Sequence, residues 1–211
     1  MNRAPGQFAL LIALALACFG LSPEARAVCQ NGCDTFTFNT FLGEDALINN
    51  TSGGDNTAAG AFALSANTTG VDNTAAGAFA LSANITGIGN TAAGEDALAR
   101  NTSGGSNTAV GVAALFENRI GFDNTATGVT ALGSNISGGQ NTATGRQALF
   151  NNRTGSFNTA VGFEALGHNS TGSNNIALGV RAGFDLQGND NIDIANKGVF
   201  HDARTIRIGT T

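Results

Sequence analysis

From Asn39 to Asn174 the chain writes one 17-residue unit eight times, N-T-A-x-G-x-x-A-L-x-x-N-x-[ST]-G-x-x, and this period constrains the fold more than any other feature. The leading Asn recurs at Asn39, Asn56, Asn73, Asn90, Asn107, Asn124, Asn141, Asn158 and Asn175. Self-similarity at a fixed step marks a repeat architecture, in which each unit buries its apolar side chains only by stacking on copies of itself. Positions below are counted from that Asn as the first.

The punctuation inside each unit favours strands and turns over helices. Gly at the fifth and fifteenth positions and Asn at the first and twelfth break any helical run before it reaches three turns. The pieces left to extend are T-A-x and x-A-L, so two short strands and two tight corners per coil are expected. The fold class predicted is all-β, a parallel β-roll or β-solenoid of about nine 17-residue coils. Strand spacing near 4.8 Å makes eight to nine coils a rod about 40 Å long.

Stacking turns each repeated position into a column with one physical task. Asn56, Asn73, Asn90, Asn107, Asn124, Asn141 and Asn158 are expected to form an amide ladder, with a second ladder at the twelfth position from Asn50 to Asn169. Asn and Gly are also expected to take the left-handed backbone that corners require. Leu64, Leu81, Leu98, Leu115, Leu132, Leu149 and Leu166, at the ninth position, are the predicted core column.

One Leu per coil is thin. Its burial is worth roughly 1.5–3 kcal/mol, whereas ordering each backbone residue costs about 1–2 kcal/mol. A second buried face between chains is therefore expected, and the Ala columns at the third and eighth positions are its predicted site. The predicted state is a homo-oligomer; a monomeric solenoid is the alternative.

Residues 1–27 read as a secretory signal peptide. Arg3 supplies a charged start, Phe8 to Leu21 is an apolar run too short to span a bilayer, and Ala25-Arg26-Ala27 is a cleavage site of the A-x-A kind. A lipobox-like reading of Ala15-Leu16-Ala17-Cys18 ranks second. The predicted location is therefore exported: secreted or at the cell surface, with periplasm or lipoprotein as alternatives. Residues 28–38 are expected to cap the stack, Thr35 to Phe38 alternating as a strand. Cys29 and Cys33 are a candidate disulfide in an oxidising compartment; free thiols or a link between chains stay open. Repeats fill residues 39–190. In 191–211 the step shortens to 14 residues between two alternating segments, Asn191–Ala195 and Thr205–Gly209.

Asn158-Thr159-Ala160-Val161-Gly162 and Asn175-Ile176-Ala177-Leu178-Gly179 resemble the N-S-V-A-I-G-type strands in the head repeats of YadA-like trimeric autotransporter adhesins. The resemblance spans Asn39 to Gly209. It implies a trimer of left-handed parallel β-rolls at the cell surface, acting in adhesion toward a surface or matrix ligand. Neither a heptad stalk nor a β-barrel anchor is expected in the segment after Gly209, and no transmembrane anchor is expected in the mature chain.

Chemistry is expected nowhere in the columns. Enzymes bring unlike residues together, whereas a repeat lines up like ones; the chain has only two His, and no nucleophile elbow or phosphate loop stands in a fitting context. Glu44-Asp45 and Glu95-Asp96 share slots three coils apart, about 14 Å, too far for paired carboxylates. Asp at the seventeenth position recurs only at Asp55, Asp72 and Asp123, too sparse for a calcium roll. With a net charge of −5, no nucleic-acid partner is expected. The functional expectation is a non-enzymatic adhesion or structural module without cofactor. Its alternatives are a self-assembling fibre subunit and, ranked last, an ice-binding solenoid using the Thr57 to Thr159 column.

Overall fold

The computed structural model describes residues 37–209. Eleven three-residue strands stack in chain order into one parallel sheet. They are β1 (Thr40–Leu42), β2 (Thr57–Ala59), β3 (Thr74–Ala76), β4 (Thr91–Ala93), β5 (Thr108–Val110), β6 (Thr125–Thr127), β7 (Thr142–Thr144), β8 (Thr159–Val161), β9 (Ile176–Leu178), β10 (Ile192–Ile194) and β11 (Ile206–Ile208). Register is locked to the repeat: Thr57 faces Thr74, Ala58 faces Ala75, and so on up to Ile176 facing Ile192. The shorter final step holds too, with Ile192 opposite Ile206. This is the predicted β-solenoid, and ten strand spacings make the sheet about 48 Å long.

Only T-A-x forms a strand. The A-L piece, expected as a second strand, is instead three overlapping turns: Ala63, Ser65 and Asn67 donate their N–H groups back to the carbonyls of Gly60, Phe62 and Leu64, at 3.2, 3.3 and 3.0 Å. The first two turns place a positive φ at their third residue, Phe62 (59°) and Leu64 (51°), as turns of the type II kind require. The intervening groups reach the neighbouring coils, Phe62 N–H to Glu44 C=O at 2.8 Å and Leu64 N–H to Ala80 C=O at 3.0 Å. Turn side and strand side therefore both carry a ladder of inter-coil bonds.

Left-handed backbone thus falls on the seventh, ninth and seventeenth positions rather than on the ladder asparagines. Leu takes φ of 50–56° in every complete coil, Leu47 to Leu166. A left-handed non-glycine residue costs roughly 1–2 kcal/mol; full burial of the Leu side chain, worth about 1.5–3 kcal/mol, offsets it. The conformation turns that side chain inward, so all seven predicted core leucines have no exposed surface.

Glycine is required for two reasons. At the fifth position φ is 118–143°, and a Cβ on Gly60 would lie 2.4 Å from the carbonyl oxygen of Gly77. At the fifteenth position φ is ordinary, and the constraint is space alone: a Cβ on Gly70 would meet Asn67 Oδ1 at 2.4 Å and Gly87 O at 2.5 Å. There the coils approach too closely for any side chain.

The interior is one side chain thick. Ala at the third position looks in from the sheet and meets Ala and Leu at the eighth and ninth, all in one cluster from Ala46 to Leu186. The Ala columns therefore belong to the core of a single chain, Ala75 and Ala80 having no exposed surface. This overturns the expectation that they face a second chain. They are small because Leu already fills the gap between sheet and turns.

The ends depart from the rule. In β1 the inward position holds Phe41, half-buried; Thr37 and Phe38 lie outside any strand, and the rest of the expected cap lies outside the described residues. Near the other end Gly183 takes the Leu place, and Leu186, three residues on, is fully buried instead. Asp193 then takes the inward place in β10 and Arg207 that in β11.

Candidate functional site

Both predicted amide ladders are present, fully buried from Asn56 and from Asn67 onward, with Asn50 half-buried at the start of the second. In the first, Asn73 donates from its backbone N–H and its Nδ2 to Asn56 Oδ1, both at 3.0 Å, and the pattern repeats coil by coil through Asn90, Asn107, Asn124, Asn141, Asn158 and Asn175 to Asn191. In the second, Asn84 Nδ2 reaches Asn67 Oδ1 at 2.9 Å, and so on to Asn169.

The ladders converge. Within one coil the Nδ2 atoms of Asn73 and Asn84 both donate to the carbonyl of Gly87, at 2.8 and 3.1 Å. Each buried amide thereby uses both of its N–H groups, which is why so polar a column survives inside the chain. The second ladder ends where Leu186 replaces Asn, leaving Asn169 Oδ1 buried without a partner. Cys29 and Cys33 lie outside the described residues.

With the interior columns committed to structure, function is left to the outside, which has two distinctive surfaces. The first is the outer face of the sheet. Its second and fourth positions run Thr40/Leu42, Thr57/Ala59, Thr74/Ala76, Thr91/Ala93, Thr108/Val110, Thr125/Thr127, Thr142/Thr144, Thr159/Val161, Ile176/Leu178, Ile192/Ile194 and Ile206/Ile208. No charge interrupts it. At about 48 Å by 10 Å it covers on the order of 500 Å², a patch size that marks interaction surfaces.

The second surface lies on the turn side, where three hollows run along the stack. One of about 350 Å³ is lined by Glu117, Arg119, Ser134, Ile136, Asn151 and Arg153. The next, about 170 Å³, shares Asn151 and adds Gln147, Phe150, Glu164, Gly167, His168 and Phe184. The last, about 380 Å³, shares His168 and continues to Asp185, Gln187 and Phe200. Three charge pairs lie along this groove: Arg100 pairs with Glu117 at 2.6 Å, Arg181 with Glu164 at 2.5 Å, and His168 Nδ1 lies 3.5 Å from Asp185; Arg119 and Arg153 add positive charge to the first hollow.

The tenth position of this face alternates: Phe116, Gly133, Phe150, Gly167, Phe184. Each glycine makes room for the next ring, since a Cβ on Gly133 would touch Phe150 at 3.1 Å and one on Gly167 would touch Phe184 at 2.9 Å. The alternation is visible in the sequence once the positions are aligned. Phe62 and Phe79, on neighbouring coils, stack at 5.1 Å instead.

Among the described residues one acid is buried, Asp193, with 1% of its surface exposed. Neither carboxylate oxygen has a partner. Burial pushes its carboxyl above the ordinary value, and Arg207 beside it pulls the other way. Arg207 is itself ion-paired with Asp202. Among the described residues no three His, Cys, Asp or Glu side chains converge as a metal site, and no helix is long and apolar enough to cross a membrane. No family model, no curated protein and no solved structure matches the chain.

Proposed function

We propose that the protein is an exported, non-enzymatic β-solenoid rod that serves as a surface adhesion or structural module and associates as a homo-oligomer, a trimer by its resemblance to adhesin heads. The observation that carries this reading is the uncharged outer sheet face, unbroken over eleven strands on a chain of net charge −5. The chain's own Ala columns are buried, so the oligomer contact is assigned to this face. The turn-side groove, on the opposite flank of each coil, stays free for a ligand. Export follows from the leader-like residues 1–27.

Attachment tests the reading. Beads coated with the purified chain are expected to bind cultured cells or matrix saturably; binding no greater than that of albumin-coated beads contradicts an adhesive role.

A fibre built end to end is the second reading, favoured by the edge strand β11, where Ile206 and Ile208 are 68% and 74% exposed. Against it stands Arg207, an inward-pointing charge on that same edge, a device that blocks further strand addition. Concentration-dependent fibres in light scattering would favour it over a fixed oligomer.

A further inference from the structure

We infer that the hollow between Arg119 and Arg153 on the turn side binds a linear acidic polysaccharide, one that carries a carboxylate on every second sugar. The inference names a ligand for the adhesion reading and rests on that reading. It starts from a departure in the repeat: the thirteenth position is Thr, Ile or Ser in every other complete coil and Arg only at Arg119 and Arg153. Both arginines are exposed, and neither has an acid partner among the described residues. They line one hollow of about 350 Å³, with the half-buried Ile136 on the coil between them. Glu117, the acid of that hollow, is neutralised by Arg100 at 2.6 Å, so the two unpaired guanidiniums set its sign.

Charge along the chain points the same way. Residues 39–99 hold six acids and no Lys or Arg, whereas residues 100–153 hold four Arg and two acids. A positive stretch on a chain of net charge −5 draws a polyanion to these coils and away from the acidic ones before them.

Spacing favours a polymer with separated charges. The inter-coil bonds fix both backbones, Arg119 N–H donating to the Ile136 carbonyl at 3.1 Å and Arg153 N–H to that of Ser170 at 2.8 Å. The two positions are thus two coils apart, about 9.6 Å by strand spacing. A chain that alternates a uronate with a neutral sugar presents its carboxylates on a comparable step, one for each guanidinium. Each guanidinium can take a carboxylate through two parallel N–H bonds. Between its charges such a ligand shows hydroxyls, and Ser134 and Asn151 line the same space. Asn151 gives one Nδ2 N–H to the Gly167 carbonyl at 2.7 Å and keeps its Oδ1 as an acceptor. The polyanions within reach of an exported protein are the acidic polysaccharides of surfaces and matrices, which favours this class over nucleic acid.

Calorimetry of the purified full chain with oligomers of alternating glucuronate and N-acetylglucosamine tests the inference. Affinity is expected to rise from the disaccharide, with one carboxylate, to the tetrasaccharide, with two, and to weaken with added salt as contacts to exposed charges do. It should fall at least tenfold in Arg119→Gln and in Arg153→Gln. Lys197→Gln, which removes the same unit charge outside the hollow, should bind as the parent does, with unchanged circular dichroism in every variant. No binding, or arginine variants that bind no worse than Lys197→Gln, overturns the inference. Equal affinity for neutral glucose oligomers, or tighter binding of single-stranded DNA with the same number of charges, overturns it too. Bead attachment separates the two levels. Beads that attach but are not displaced by the acidic oligomers leave adhesion standing and overturn the ligand; oligomer binding lost in both arginine variants supports the site even where beads never attach, an outcome that contradicts adhesion alone.

Discussion

Asn118 and Gly121 form a unit of the fold: Asn118 Nδ2 donates to the Gly121 carbonyl at 3.1 Å, while a Cβ on Gly121 would lie 2.3 Å from Asn118 Oδ1. The same carbonyl accepts from Asn107 at 2.8 Å. Glycine is therefore fixed here by the ladder beside it and not by its φ. Gly121→Ala is expected to destabilise the chain by about 2–4 kcal/mol, from overpacking and displaced amides. Gly54→Ala, whose Cβ would find its nearest neighbour at 3.8 Å, should change stability by less than about 0.5 kcal/mol. Urea midpoints of the two variants check both values.

Removing a ladder amide is expected to cost more than removing a hydroxyl from the same coil. Asn107 accepts from Asn124 twice and donates to Asn90 and Gly121. Asn107→Ala leaves several buried groups unpaired at about 1–3 kcal/mol each, so a loss of about 3–5 kcal/mol is predicted. Thr108→Ala, one residue on, changes the outer face and should cost less than about 1 kcal/mol. Thermal melts of the pair decide it; equal losses would mean that the ladder contributes nothing special.

Asp193 makes the C-terminal coils pH-sensitive. Its carboxyl is raised in the folded chain, so its favourable contribution is complete below the ordinary carboxylate range and is lost as pH rises through the raised value. The charged group beside it is Arg207 on β11, itself paired with Asp202; Gly183 of the preceding coil and Gly198 lie against its carboxylate. Amide protection in β10 and β11, corrected for intrinsic exchange, is expected to fall with rising pH. Asp193→Ala, which restores the residue found at this position in β2 to β9, should flatten that trend and raise protection at neutral pH. Because Asp202 and Arg207 remain in the variant, an unchanged pH profile would assign the effect to them instead.

The period, the parallel stack, the Leu core and both amide ladders were legible in the sequence because stacking makes identical residues neighbours. Backbone sign was not. Phe62 and Leu64 take positive φ although nothing in either residue favours it, and only the inter-coil bonds of the turns demand it. The destination of Ala was misread for a related reason. A small residue signals close approach without saying to what, and Ala75 and Ala80 approach their own Leu81 column rather than another chain. The groove was half legible: the Phe and Gly of the tenth position can be aligned by eye, but that each Gly holds the ring of the following coil depends on which way the rings lean.

Association through the outer sheet face is the central claim, and multi-angle light scattering of the parent chain and of a Val110→Lys, Val161→Lys double variant tests it most directly. Both valines sit at the fourth position on that face. The account predicts a fixed oligomeric mass for the parent across concentrations, three chains by the adhesin resemblance, and a shift to monomer in the lysine variant with its β-sheet spectrum unchanged. A parent that stays monomeric at every concentration, or a variant that assembles as the parent does, would contradict it.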